Sequence, residues 1–188
     1  MNSASNVKTY GIWLLLAAPG LWILGAFTLD RISYGQTLHL SGNWAVGLTA
    51  LALAITPLRR LFHGSRWPMQ LQRRRRAIGV ASFAYAAFHT LVYLERKWGH
   101  GYILREAMRP ELATGWAALL VFLLLAITSN DASVRRLGPG WKKLHRWIYP
   151  ATGLVFAHWI LTAAKPMTAW ICAAMLGAVM LLRWHRHR

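Results

Sequence analysis

A chain of 188 residues, 56% hydrophobic and 14% charged, with its apolar residues gathered in blocks of about 15 to 20, is no water-soluble globular domain. Its net charge of +17 would point to nucleic acid in a soluble protein, but the basic residues sit at the ends of the apolar blocks, and that partner is excluded. The one cysteine, Cys172, excludes an internal disulfide, an iron–sulfur cluster and haem attached through Cys-x-x-Cys-His.

Six apolar blocks follow one another. The first, 10–29, comes after the polar MNSASNVKTY and reads as a retained helix, since no small-residue cleavage site follows. The second, 44–58, is short and recruits Leu38 to Asn43. The third, 77–95, starts after RRRR at 73–76 and carries His89. The fourth, 114–129, is short as well. The fifth, 145–163, begins at His145 and contains Pro150 and His158, and the sixth, 167–184, contains Cys172. Backbone polar groups in lipid must be paired within the segment, so the blocks are predicted to be helices. The expected fold is all-α: a polytopic membrane protein of six transmembrane helices in one bundle, forming a single domain over 1–188.

Charge orients the bundle. Sixteen of the 22 lysines and arginines fall on one side: Lys8, the 59–76 and 135–146 connections, and the tail. Arg31, Arg96, Lys97, Arg105, Arg109 and Lys165 fall on the other, with Asp30, Glu95, Glu106 and Glu111. The positive-inside rule then predicts both termini in the cytoplasm. Trp44, Trp116, Trp141, Trp147, Trp170 and Trp184 lie at or near span ends, where the interface favours tryptophan. The arginine run reads first as a headgroup contact with membrane lipid.

Polar side chains at membrane depth are costly and usually face the bundle interior. Three of the eight histidines fall in or at the edge of spans: His89, His145 and His158. Each could simply bridge two helices by hydrogen bonds. Depth separates them into two levels. His89 lies about 18 Å above the inner end of its span, and His158 about 19–20 Å above His145. His89 and His158 therefore share an outer level, where two imidazoles on neighbouring helices can hold one haem iron axially. Around a straight helix His145 and His158 would stand about 140° apart, and Pro150, which frees the carbonyl of Arg146, is expected to kink or rewind the segment between them. No histidine opposes His145, because thirteen residues before His89 stands Arg76. The remaining inner candidates are His63, His185, His187 and Met180, or a water or flavin. Arg75, Arg76 and Arg146 suit haem propionates or a flavin phosphate as well as lipid headgroups.

No acid lies within a span, which removes a carboxylate proton relay. No nucleophile with a base, phosphate-binding glycine loop or soluble βαβ unit is present. Any electrons that pass through the chain come from one molecule and go to another.

RRRRAIGVASFAYAAFHTLVYL (73–94), LAITSNDASVRRLGPGWKKLHRWIYPATGLVFAHW (125–159) and SGNWAVGLTALALAITPLRRL (41–61) resemble MsrQ, the family of haem-binding membrane subunits of bacterial protein-methionine-sulfoxide reductases, within the ferric-reductase-like transmembrane superfamily. The resemblance implies a cytochrome b in the bacterial inner membrane with one or two haems b, and FMN as a further cofactor. It implies electrons taken from quinol or a cytoplasmic flavin reductase and delivered to a periplasmic molybdopterin enzyme, MsrP, which performs the sulfoxide chemistry. His89, His145 and His158 match the family's haem-associated histidines. The alternatives are a stand-alone ferric or quinone reductase of the same superfamily, and a non-redox transporter or scaffold.

Overall fold

The computed structural model describes residues 3–98 and 103–185, and side chains from Tyr10 to Leu181 apart from Leu104 and the undescribed loop. Its elements, all helical, are α1 (Ser3–Thr28), α2 (Tyr34–Leu61), α3 (Arg66–Lys97), α4 (Ile103–Ala107), α5 (Pro110–Ile127), α6 (Asp131–Leu137), α7 (Pro139–His145), α8 (Ile148–Thr162) and α9 (Met167–His185).

Four stretches are long and apolar enough to cross a membrane: Tyr10–Thr28, Tyr34–Leu61, Arg66–Lys97 and Pro110–Ile127. In α9 the apolar stretch Met167–Leu181 is shorter, and α8 has 15 residues, about 22 Å of helix.

Two expected spans start much earlier than apolarity alone predicts. α2 begins at Tyr34 because Ser33 forms a capping box: its hydroxyl accepts from Gln36 N–H while the Gln36 side chain accepts from Ser33 N–H. α3 begins at Arg66, so the expected 59–76 connection narrows to the turn around Phe62–Ser65, and RRRR is helical. Arginine is a good helix former, and Pro68 falls in the first turn, where the missing N–H costs nothing. At 32 residues α3 is about 48 Å long, well beyond a hydrocarbon core of about 30 Å, so its arginine end has length to reach the headgroups.

The expected fifth span is divided. α7 ends at His145, Arg146 and Trp147 form a joint, and α8 starts at Ile148. Pro150 cannot donate to the Arg146 carbonyl, and Tyr149 N–H takes that acceptor instead at 3.1 Å. Before α7, Gly138 has φ +49° and ψ −127°, a conformation that side chains rarely adopt, and it joins α6 to α7.

Packing groups the helices into two principal pairs, α2 with α3 and α5 with α8. Ile23 of α1, Ala45, Leu48, Ala52 and Ile55 of α2, and Ile78, Ala81 and Tyr85 of α3 form the main buried cluster. The alanines let the backbones approach closely. A buried polar pin crosses the same interface, with Thr49 Oγ1 2.7 Å from Ser82 Oγ and both hydroxyls 2.9 Å from the Ala45 carbonyl. Ala118, Phe122 and Leu125 of α5 and Ala151 and Phe156 of α8 are buried in the second pair. Leu14, Leu15, Leu21, Leu120, Leu161 and Met175 point outward, which lipid tolerates and water does not.

Candidate functional site

Each outer histidine stands on the second helix of a pair and leans on the first. His89 of α3 places Nδ1 3.0 Å from the Leu38 carbonyl and 3.4 Å from Ser41 Oγ, both on α2. His158 of α8 places Nδ1 2.6 Å from the Glu111 carbonyl of α5. A carbonyl only accepts, so Nδ1 donates in both rings, and in the neutral form this leaves Nε2 with its lone pair. Both rings also lie over a glycine. A Cβ on Gly42 would stand 3.3 Å from His89 Nδ1, and one on Gly115 only 2.8 Å from His158 Nδ1.

The two rings meet across the pairs. Their centroids are 6.3 Å apart and their planes stand at 88°. Two imidazoles bonded through Nε2 to one ion at about 2.0–2.1 Å and set directly opposite each other, with that nitrogen about 1.1 Å from its ring centre, would have centroids about 6.3 Å apart. The spacing therefore fits a metal held between them. Among the described residues no three His, Cys, Asp or Glu side chains gather into a metal site. Two neighbouring imidazoles would suit an iron whose other ligands come from a porphyrin.

His145 is apart from this pair. It stacks on Trp141, with centroids 3.9 Å apart and planes at 25°. Its Nδ1 lies 3.2 Å from the Trp141 carbonyl and its Nε2 3.4 Å from Ser129 Oγ. Trp141 is fixed in turn by Nε1–H donating to the Thr128 carbonyl at 2.9 Å. Arg75 and Arg76 lie near enough to bear on the His145 charge, and Arg76 pairs with Asp131 at 2.7 Å. That pair holds the Asp131 carboxyl below its usual range, chiefly through the hydrogen bond. Arg146 is exposed at the α7–α8 joint, His63 is exposed on the α2–α3 turn, and Met180 is half-buried on α9. His187 lies outside the described residues, as does the side chain of His185. The joint at Arg146–Trp147 sets α7 and α8 in separate phases, so the straight-helix angle between His145 and His158 does not apply.

The structure thus brings His89 and His158 together and sets His145 with Arg75 and Arg76 at a separate place. The backbone seats under the rings escaped sequence reasoning. Their only trace is a Ser-Gly and a Thr-Gly step inside apolar segments.

Comparison with known proteins agrees with a helical membrane component. The family described as ferric reductase like transmembrane component matches residues 41–156, from Ser41 beside His89 to within two residues of His158. More specific likeness comes from proteins named protein-methionine-sulfoxide reductase heme-binding subunit MsrQ. That of Rhizobium meliloti (strain 1021) is 33% identical over 94% of this chain and 87% of its own length. That of Agrobacterium fabrum (strain C58) is 33% identical over 85% of this chain and 74% of its own. That of Yersinia pseudotuberculosis serotype O:1b is 34% identical, covering 92% and 87%. This chain belongs to the MsrQ family of ferric-reductase-like transmembrane proteins. No solved structure matches it.

Proposed function

We propose that the chain is a membrane cytochrome b that carries electrons across the bacterial inner membrane to a periplasmic molybdopterin enzyme of the MsrP type, which reduces methionine sulfoxide in envelope proteins. The observation that carries this reading is the facing of His89 and His158, each with Nδ1 tied to a helix carbonyl and Nε2 left with its lone pair. These two residues would hold one haem b from α3 and α8. Bound there, haem supplies a one-electron carrier that no side chain of this composition provides.

The chain's own residues bind and orient. The Leu38 and Glu111 carbonyls hold the two Nδ1 protons, which fixes the tautomer and keeps the rings from turning. At the other level, His145 with Arg75, Arg76 and Arg146 forms a basic site for an anionic group, a flavin phosphate of FMN or the propionates of a second haem. The electron donor is quinol or a cytoplasmic flavin reductase. The positive-inside distribution supports an orientation with both termini cytoplasmic, His145 on the donor side and the His89–His158 pair on the MsrP side. α8 and α9 then complete six crossings.

The test is a dithionite-reduced minus oxidised absorption spectrum of the purified protein with haem quantification. A b-type spectrum is expected. It should be lost or grossly changed in His158→Ala, and an unchanged spectrum there overturns the assignment. Electron delivery is tested by mixing the reduced protein with the molybdoenzyme and methionine sulfoxide. Reoxidation that needs both supports the reductase reading. Equal reoxidation by ferric chelates or quinone without the enzyme would make the chain a stand-alone reductase.

A further inference from the structure

The two histidine seats share a construction that no sequence repeat announces. On α2 the acceptor carbonyl belongs to Leu38, the hydroxyl three residues on is Ser41, and the glycine four residues on is Gly42. On α5 the same three places are held by Glu111, Thr114 and Gly115. The hydroxyls behave alike toward their own helices, and Ser41 Oγ lies 3.4 Å from His89 Nδ1 as well. Ser41 Oγ reaches the carbonyls four and three residues back, Thr37 at 2.7 Å and Leu38 at 3.1 Å. Thr114 Oγ1 reaches Pro110 and Glu111, at 3.0 Å each. In each case the nearer carbonyl in sequence is the one that receives the imidazole.

We infer that this carbonyl–hydroxyl–glycine seat is a positioning device present once in each helix pair, with Ser41–Gly42 and Thr114–Gly115 setting how His89 and His158 present Nε2 to the shared haem. The inference rests on the haem reading of that histidine pair.

Each part has a physical task. A Ser or Thr hydroxyl bonded back to the preceding turn often bends a helix. The carbonyl that it shares here also accepts from the imidazole while staying in its own helix. Position i+4 is where the helix places the residue above carbonyl i, so a side chain there would fill the space the ring needs. The tolerance differs between the seats. At Gly115 an added Cβ would meet Nδ1 at 2.8 Å, Cε1 at 3.0 Å and Cγ at 3.2 Å of His158, a face-on collision with the ring. At Gly42 it would meet Nδ1 at 3.3 Å and Cε1 at 3.5 Å of His89, which a small shift relieves. The dipeptide alone does not make a seat. Thr152–Gly153 on α8 repeats the pattern, yet a Cβ on Gly153 would meet nothing within 4 Å.

The experiment compares Gly115→Ala, Gly42→Ala and Gly153→Ala in the purified full-length protein, reading haem affinity, the low-spin electron paramagnetic resonance signal and the reduction potential. Loss of an outer-shell partner typically weakens metal retention about 10–100-fold. Gly115→Ala should fall in that range with a high-spin fraction appearing, Gly42→Ala should shift the signal with a smaller loss of affinity, and Gly153→Ala should match the wild type. Wild-type affinity and an unshifted signal in Gly115→Ala overturn the inference.

A second measurement does not need haem. Nitrogen-15 magnetic resonance of labelled histidine in the haem-free protein should show His89 and His158 as Nδ1–H tautomers, and either ring as Nε2–H overturns its seat. A wild-type protein that never binds haem but shows both Nδ1–H tautomers would keep the two seats as hydrogen-bonded structure while removing both the haem reading and the inferred role.

Discussion

The pin between α2 and α3 yields a prediction whose size depends on which hydroxyl is removed. Thr49 and Ser82 are both buried, and three short contacts join Thr49 Oγ1, Ser82 Oγ and the Ala45 carbonyl. Two hydroxyls have two protons, so only two of the three contacts are hydrogen bonds at any moment. In Thr49→Val the Ser82 proton still crosses to the Ala45 carbonyl, and the helices remain tied. In Ser82→Ala the Thr49 proton can only bond back to Ala45 in its own helix, and the interhelical bond is gone. Such bonds in membrane bundles are worth about 0.6 kcal/mol on average and at most about 1.7 kcal/mol. Ser82→Ala should therefore raise the unfolding constant about 3- to 18-fold, and Thr49→Val should cost less than the lower end of that range. Titration with sodium dodecyl sulfate in detergent micelles, followed by far-ultraviolet ellipticity, measures both. A Thr49→Val penalty equal to or larger than that of Ser82→Ala refutes the sharing of protons argued here.

Near the end of α3, Glu106 accepts from Lys97 at 2.8 Å and from the Tyr93 hydroxyl at 2.9 Å, and these bonds, Lys97 first, hold its carboxyl below its ordinary value. A depressed folded value stabilises above the unfolded value of about 4.3 and loses that contribution as pH falls through the folded one. Hydrogen exchange of amides 103–107, corrected for intrinsic rates, should speed up below about pH 4 in the wild type and be fast at every pH in Glu106→Gln. Tyr85→Phe removes the hydroxyl bond to the Leu16 carbonyl of α1, 2.9 Å long, and keeps the stack on Trp44. It should cost about 1 kcal/mol in the same detergent titration, with the haem spectrum unchanged.

What the sequence made legible follows from what lipid forces on a chain. Counting residues at the helical rise put His89 and His158 at one depth before any coordinates, because a membrane helix converts sequence distance into height with little freedom. In the structure their rings lie 6.3 Å apart. Apolarity was a poor guide to where helices begin. α2 and α3 start on polar residues, at a capping box and at an arginine-rich turn, and the hydropathy of a segment says where lipid lies rather than where hydrogen bonding stops. Pro150 correctly marked a disturbance in the fifth segment. The break fell at Arg146–Trp147 because the carbonyl four residues before a proline is the one left without its donor.

The seats were illegible for a different reason. In 38–42, LHLSG, and 111–115, ELATG, only the last two places are alike, since the group that receives the imidazole is a backbone carbonyl and any residue can supply one. A leucine and a glutamate do the same work there. The contact does not dictate the side chain at that place, whereas a Cβ on Gly115 would collide with the ring. In this chain the chemistry-bearing residues are visible as histidines, but the geometry that makes them a pair is written in two glycines and two hydroxyls that composition reads as ordinary membrane helix.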